Sequence, residues 1–190
     1  ERVREAIQLA RNLGFCPIKI NMVVLKGIND DEVVDFARLS MRYPFHVRFI
    51  EYMPSGLLLH NEPLNYVSNT VIRERLEAIE PLIQLPRKAI DGPTVRYRFK
   101  EAQGEIGFIS PLTHHFCQVC NRLRLTAKGH LRPCLLSDQE LDLRGPMRAG
   151  ATDRDLGNIF AEAAGQKPRA HHLNSKDSES LSGQMSAIGG

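Results

Sequence analysis

The order of sequence patterns in the first 54 residues constrains the fold more than any other feature. Apolar residues recur at helical spacing from Glu1 to Leu13, and the β-branched run 18–25 predicts a buried strand. A second helical pattern ends at Pro44, and residues 46–54 predict a second strand. Helix, strand, helix, strand in this order predicts an α/β fold with a parallel sheet. The pattern fits either a small α/β domain or the back part of a (β/α)8 barrel, which takes about 250 residues.

The rest of the chain carries shorter patterns. Asn29 has the residue type and position of an N-cap for the second helix, because acidic residues follow it. A third helix is predicted over about 66–79, a hairpin over 94–110, and a last helix that begins at Thr152 in capping-box spacing. The Ser-rich, polar residues 174–190 predict a flexible tail.

The charge and length of the chain bound its function classes. Its 190 residues carry 25 Lys and Arg against 22 Asp and Glu, a net charge of +3. This balance gives no support to nucleic-acid binding, although it is compatible with a local basic site for an anion. No apolar run approaches the roughly 18 residues of a membrane span. Four cysteines are too few for a disulfide scaffold, so their clustering points first to a metal.

Three of the four cysteines lie in the cysteine segment, CQVCNRLRLTAKGHLRPC, residues 117–134. Cys117 and Cys120 have C-x2-C spacing, and Cys134 follows after thirteen further residues. A Lys-Gly pair between them predicts a tight turn, which returns Cys134 on a paired strand toward Cys120. The three thiolates are therefore expected to converge.

The ligand types leave several kinds of site open. Soft thiolates suit zinc or an iron–sulfur cluster. A structural zinc site is closed by four ligands, and His114, His115 and His130 are candidates for the fourth. The spacing alone favours zinc over iron–sulfur, with a disulfide and one free thiol as the remaining alternative. Cys16 fits no cluster motif and is interpreted as a structural thiol.

Two arginines beside the cysteines favour a site that also binds a ligand over a purely structural metal site. The alternation places Arg122, Arg124 and Thr126 on one face of a strand and the intervening leucines on the other. Guanidinium groups pair with phosphate oxygens in bidentate fashion, so two of them about 7 Å apart suit a polyphosphate. The alternative is that both are solvated or pair with carboxylates. Three thiols leave one metal position open, and an open position is where a substrate binds.

The cysteine segment is one of several separate motifs, and the others are PIKINMVVLKGIND, RFIEYMP, GEIGFISPLTHHF and the closing Gly-Gly. Together these motifs resemble the GTP 3′,8-cyclase family, the radical S-adenosylmethionine enzymes that open molybdenum cofactor biosynthesis. The resemblance extends over about residues 1–172, and the motifs agree in order and spacing.

The resemblance implies both a fold and a reaction. The family has an incomplete, TIM-like (β/α) barrel. In that barrel an N-terminal C-x3-C-x2-C motif holds a [4Fe–4S] cluster that binds S-adenosylmethionine. A second [4Fe–4S] cluster contacts the guanine of GTP through its open iron. Reductive cleavage of S-adenosylmethionine gives a 5′-deoxyadenosyl radical, which takes the ribose C3′ hydrogen before C3′ bonds to C8. This lyase reaction converts GTP to (8S)-3′,8-cyclo-7,8-dihydroguanosine 5′-triphosphate.

The matching motifs imply a role for each cysteine and arginine of the segment. Cys117, Cys120 and Cys134 would ligate the second [4Fe–4S] cluster. Arg122 and Arg124 would bind the triphosphate of GTP.

Four residues outside the cysteine segment are implicated in the same way. Lys19 would contact GTP, although its spacing alone favours a strand-end lysine that reaches solvent. Met53 would line the S-adenosylmethionine pocket, where simple core packing is the alternative. The tail that ends in Gly189 and Gly190 would reach the active site.

The resemblance also predicts a division of the chain into three parts. Residues 1–87 would be the back part of the barrel. Residues 88–173 would hold the hairpin, the iron–sulfur and GTP-binding region and the last helix. Residues 174–190 would be the flexible tail.

One departure from the family is large, because the sequence contains no C-x3-C-x2-C motif. The chain is therefore expected to be the C-terminal part of the enzyme and not to cleave S-adenosylmethionine alone. Two other functions compete: a zinc-stapled nucleotide- or protein-binding module without chemistry, and a half that pairs with a separately encoded front half. The expected ligands are GTP and S-adenosylmethionine, with neither nucleic acid nor membrane. A homodimer is left open, and a cytoplasmic location is expected if the source is bacterial.

Overall fold

The computed structural model describes residues 1–53, 65–88 and 91–170. The described residues divide into two compact units at the peptide between His115 and Phe116. The first unit comprises 1–53, 65–88 and 91–115, and the second comprises 116–170. Gly189 and Gly190, like the predicted tail, lie outside the described residues.

The first unit is a sheet with helices. Its elements, in chain order, are α1 (Arg2–Asn12), β1 (Ile18–Val24), α2 (Val33–Arg42), β2 (Phe45–Glu51), α3 (Asn69–Glu77), β3 (Ile83–Gln84), β4 (Val95–Arg98) and β5 (Glu105–Ile109). The strand order is β1-β2-β5-β4-β3. The first three strands of that order run parallel, and β4 and β3 are antiparallel to their neighbours.

The core of the first unit lies on one face of this sheet. Alternate residues of β2 are buried, among them Val47 and Phe49, because successive side chains of a strand point to opposite faces. They pack with the buried faces of α2 and α3, which contribute Ala37 and Ile72 among others. The opposite face of the sheet carries the polar side chains of the parallel strands.

The sequence predictions for this unit are largely confirmed. The predicted parallel pair and the predicted hairpin are both present, and the hairpin joins the first sheet because β5 pairs with β2. The prediction that Asn29 caps the second helix is wrong. Its side chain accepts the Leu25 N–H at 2.7 Å and donates to the Val23 carbonyl at 3.0 Å, so it stabilises a turn, and Glu32 occupies the N-cap.

The second unit is built on a small antiparallel sheet and a helix. Its elements are a 3-10 turn (Cys117–Val119), β6 (Arg124–Leu125), β7 (His130–Arg132), β8 (Leu141–Asp142), α4 (Arg144–Arg148) and α5 (Asp153–Gly165). Apolar side chains of α5 and the sheet form its core, around Leu131, Leu143 and Ala163. The predicted capping box is confirmed, since Thr152 and Asp155 exchange side-chain-to-backbone hydrogen bonds.

Candidate functional site

The cysteine segment forms a turn followed by a hairpin. The Cys120 N–H donates to the Cys117 carbonyl at 3.2 Å, which closes the turn that carries the C-x2-C pair. Antiparallel pairing of β6 with β7 sets Arg124 opposite Arg132, so Cys134 lies at the end of the hairpin where β6 begins. The predicted turn and return strand are therefore confirmed.

Thr126 directly follows β6. Leu125 is exposed and Thr126 is buried. Thr126 opens the tight turn: its Oγ1 accepts the His130 N–H at 3.0 Å, and its carbonyl accepts the Gly129 N–H at 2.9 Å. Thr126 therefore belongs to the turn that joins the two strands of the hairpin.

The thiols of the segment are available as ligands. All four cysteines of the chain are free thiols; Cys117, Cys120 and Cys134 are half-buried, whereas Cys16 is exposed. No three His, Cys, Asp or Glu side chains in the described residues are drawn together tightly enough to form a metal-binding group. Three free thiols nevertheless flank the same end of one hairpin, and thiolates are the donor type of iron–sulfur clusters.

The histidines considered as a fourth ligand have other contacts. The His130 Nδ1 lies 2.9 Å from the Glu140 carboxylate, and its Nε2 lies 3.8 Å from that of Asp142. His130 is therefore committed to the acidic residues around β8. The His114 Nδ1 lies 3.1 Å from the Thr113 hydroxyl, within the first unit.

Lys167 is a residue of this site that the sequence patterns did not reveal. Its ammonium donates to the carbonyl of Arg122 at 2.7 Å and to that of Pro133 at 2.9 Å. It also lies 3.7 Å from the Sγ of Cys120. No local motif marks this lysine, because its partners are 34 to 47 residues away in sequence.

The surroundings of Cys120 favour its thiolate. Burial raises the pKa of this thiol. The backbone N–H and side chain of Arg122 and the charge of Lys167 lower it by more, so the net shift of the pKa is downward. A thiolate is the form that binds metals.

The two arginines lie beside the thiols in different environments. Arg122 is exposed, and its guanidinium carbon lies 5.3 Å from the centroid of the Phe116 ring, a cation–π distance. Arg124 is half-buried. Burial lowers the pKa of Arg124 first and the Arg122 charge lowers it further, while the Cys120 and Cys134 thiols oppose this. Guanidinium groups carry a positive charge, so the pair concentrates positive charge beside the cysteines.

Lys19 lies on the polar face of the first sheet. Register pairs Lys19 with His46 on β2, and His46 with Glu105 on β5. Arg48 follows on the same face, since it is two residues after His46. This polar sheet face comprises Lys19, Asn21, His46, Arg48, Arg96 and Glu105. The period-two alternation of the β2 sequence could have predicted that His46 and Arg48 lie on this polar face of the sheet.

The surroundings of His46 favour its neutral form. Burial is the main reason that its pKa is lowered; Glu105 opposes the shift, and the charges of Arg48, Lys19 and Arg96 add to it. Its Nδ1 lies 3.7 Å from the Glu105 carboxylate. A cation-rich face of this kind is suited to an anion.

Arg96 anchors the acidic side of the polar sheet face. It is 6% exposed and donates to Asp91 at 2.9 Å, to both oxygens of Glu105 at 2.9 and 3.0 Å, and to the Pro86 carbonyl at 2.7 Å. Removing one partner of such a buried network leaves an uncompensated charge. Arg96 is therefore a structural group that fixes Glu105.

Met53 lies two residues beyond the end of β2 and is half-buried. The described residues contain no helix that is both long and apolar enough to cross a membrane.

The chain matches the family model described as Molybdenum Cofactor Synthesis C over residues 45–173. It therefore belongs to that family of molybdenum cofactor biosynthesis proteins.

Curated relatives carry a more specific name. The chain is 44% identical to the GTP 3′,8-cyclase of Moorella thermoacetica over 188 residues, 99% of this chain and 57% of that protein. It is 46% identical to the GTP 3′,8-cyclase of Heliobacterium modesticaldum over 187 residues, 97% of this chain and 57% of that protein. The resemblance found in the sequence is thus confirmed, and the chain spans 57% of the length of these relatives.

Proposed function

We propose that this chain is the C-terminal part of a GTP 3′,8-cyclase, in which it holds the second [4Fe–4S] cluster and the triphosphate of GTP. One observation carries the proposal: three free thiols flank one end of the β6–β7 hairpin, with Arg122 and Arg124 between them in sequence. The ligands would be Cys117, Cys120 and Cys134. Three protein ligands leave one iron of the cluster open to substrate.

The arginines would supply the anion site. Their fork geometry suits phosphate oxygens, and thiolates alone would repel a triphosphate. Lys19 would add a GTP contact from the polar sheet face, where Arg48 and Lys19 supply positive charge. The reaction would be the conversion of GTP to the 3′,8-cyclised nucleotide by means of a radical derived from S-adenosylmethionine.

The first unit would be the back part of the (β/α) barrel. Three neighbouring strands run parallel, with α2 and α3 packed on one face, which is the local plan of such a barrel. At the β1 edge of the described sheet, α1 leaves Val3 73% and Leu9 59% exposed. Apolar surface of this kind suits contact with further barrel elements. Met53 would line the pocket for S-adenosylmethionine.

The first test is the metal content of the 190-residue chain. Anaerobic reconstitution with iron and sulfide should give about four irons and four sulfides per chain. Cys134→Ala should lose the cluster, whereas Cys16→Ala is the matched control and should keep it, because Cys16 is exposed in the other unit. Stoichiometric zinc without sulfide in the reconstituted chain would instead favour a zinc-stapled module and overturn the proposal.

A second test concerns the division of labour in the enzyme. We infer that this chain alone does not cleave S-adenosylmethionine, since its sequence has no C-x3-C-x2-C motif. Incubation of the reconstituted chain with dithionite and S-adenosylmethionine should yield no 5′-deoxyadenosine. Catalytic formation of that product would contradict the inference.

A further inference from the structure

The ammonium group of Lys167 has acceptors both before and after the β6–β7 hairpin. Its acceptors are the Sγ of Cys120 at 3.7 Å, the carbonyl of Arg122 at 2.7 Å and the carbonyl of Pro133 at 2.9 Å. A lysine ammonium has three N–H donors and no acceptor, so three acceptors match its full capacity. Two of these partners precede β6, and the third follows β7.

A rigid element delivers Lys167 to this position. The lysine follows α5, which begins at the Thr152 capping box and ends at Gly165. The buried Ala163 packs this helix against Leu131 of β7. Lys167 therefore lies two residues after a helix that packs on the core of the unit, and its side chain is half-buried.

The contacts of Lys167 span the two sides of the cysteine segment. Pro133 is adjacent to Cys134, and Arg122 lies two residues after Cys120. A single ammonium group that binds both carbonyls fixes the distance between the segment before β6 and the segment after β7, on which these cysteines lie. The contact with Cys120 adds a charged N–H donor to one sulfur.

We propose that Lys167 is a positioning residue for the iron–sulfur ligands, which holds the C-x2-C turn to the end of β7 and stabilises negative charge on the Cys120 sulfur. The inference rests on the proposed function, because it concerns the cluster that the cysteines would bind. Hydrogen bonds to cluster sulfurs help to set the reduction potential of such clusters. A cationic donor stabilises the more negative, reduced state, so Lys167 should raise the potential.

The test compares three single variants of the 190-residue chain. Lys167→Met removes the ammonium and keeps an unbranched side chain. Lys167→Arg keeps the charge but presents a planar fork in place of three divergent donors. Lys128→Met is the matched control, since it removes a lysine charge from an exposed position of the same unit.

Two readouts are measured for each variant. Amide hydrogen exchange across residues 117–136 of the metal-free chain reports how firmly the segment is held. In Lys167→Met it should accelerate by about tenfold or more, which is the loss expected for charge-assisted hydrogen bonds. In the reconstituted chain, the same variant should release its cluster roughly 10- to 100-fold faster and should show a more negative midpoint potential.

The control and the arginine variant sharpen the result. Lys128→Met should match the wild type in both readouts. Lys167→Arg should keep the wild-type potential, because the positive charge remains. Amide exchange should still be faster than in the wild type, because the three divergent N–H donors of the lysine are lost. A purely structural lysine would change exchange and cluster retention without changing the potential, and that outcome would overturn the electrostatic part of the proposal.

Failure of this inference is distinguishable from failure of the proposed function. If Lys167→Met and Lys128→Met are indistinguishable in a chain that binds iron and sulfide, Lys167 has no positioning role. If the wild type binds only zinc, the proposed function fails. In that case the exchange comparison in metal-free chain still decides whether Lys167 holds the segment.

Discussion

The Leu112 N–H donates a hydrogen bond of 3.0 Å to the carboxylate of Glu51, 61 residues earlier in the chain. Glu51 is the last residue of β2 and is fully buried. The same carboxylate accepts the backbone N–H groups of Thr113 and Asn69, each at 3.1 Å, and the Thr113 hydroxyl. One side chain thereby joins the end of β2, the start of α3 and the segment after β5.

Replacing Glu51 should therefore destabilise the first unit. Glu51→Ala leaves three backbone N–H groups without their partner, and each unsatisfied buried group costs about 1–3 kcal/mol. We expect the free energy of unfolding to fall by about 3 kcal/mol or more. Glu51→Gln, which keeps one carbonyl acceptor, should lose less. Chemical denaturation checks this, with the exposed Glu101→Ala as control; equal stability of the Glu51 and Glu101 variants would contradict it.

The Asp91–Arg96 pair should make stability depend on pH. Burial raises the pKa of Asp91, but the Lys88 N–H and the Arg96 guanidinium outweigh it, so the pKa lies below its ordinary value of 3.8. A carboxyl whose folded pKa is depressed stabilises the fold above the unfolded value. That contribution is lost as pH falls through the folded pKa.

The expected outcome is a fall in the free energy of unfolding below a pH of about 4. Asp91→Asn should be less stable than the wild type at neutral pH and should show a shallower decline in acid. Asp31→Asn, at an exposed position, is the control and should leave the curve unchanged. Parallel curves for Asp91→Asn and wild type would show that this carboxyl does not contribute.

Gly107 is required where β5 passes between two side chains. A Cβ at this position would lie 2.6 Å from Thr94 Cγ2 and 3.1 Å from Arg48 Cγ. Gly107→Ala should cost about 1–3 kcal/mol, as overpacking of a tight site does. The second substitution Thr94→Ser removes the nearest methyl group and should recover part of the loss. A double-mutant cycle in urea measures this coupling, and strict additivity would rule out the clash.

The arginines should discriminate between GTP and guanosine. Arg122→Ala or Arg124→Ala should weaken GTP binding to the iron-loaded protein by roughly ten- to a hundredfold, since charge-assisted contacts contribute about 1.5–3 kcal/mol. Guanosine binding should change little, because the triphosphate is absent. Arg148→Ala, an exposed position in the same unit, is the control. Calorimetry with iron analysis checks the result, and equal losses for both ligands would indicate damaged folding.

The closing Gly189 and Gly190 lie outside the described residues, and their role stays a prediction. Glycine has no Cβ, so a Gly-Gly end can enter a narrow site. Deleting both glycines from a full-length enzyme should abolish cyclisation and leave iron content intact, because small misplacements of reacting groups are costly. Product formation is the measurement. Full activity of the truncated enzyme would make the glycines dispensable.

The sequence patterns predicted those elements that depend on residues close to one another in sequence. The parallel pair β1–β2 follows from the alternation of strand and helix patterns, and the start of α5 follows from its capping box. Residues that act across long sequence separations were not predicted. Lys167 meets Cys120 47 positions away, and Glu51 meets Leu112 across 61, so no local pattern marks either contact.

The two faces of the first sheet give neighbouring residues opposite kinds of tolerance. Val47 is completely buried, whereas His46 and Arg48 on either side of it face away from the core. Substitutions at odd-numbered positions of β2 will therefore change the packing of the core, whereas those at even-numbered positions will change the opposite face of the sheet. A chain organised in this way can change the chemistry of one sheet face one residue at a time while its core packing stays the same.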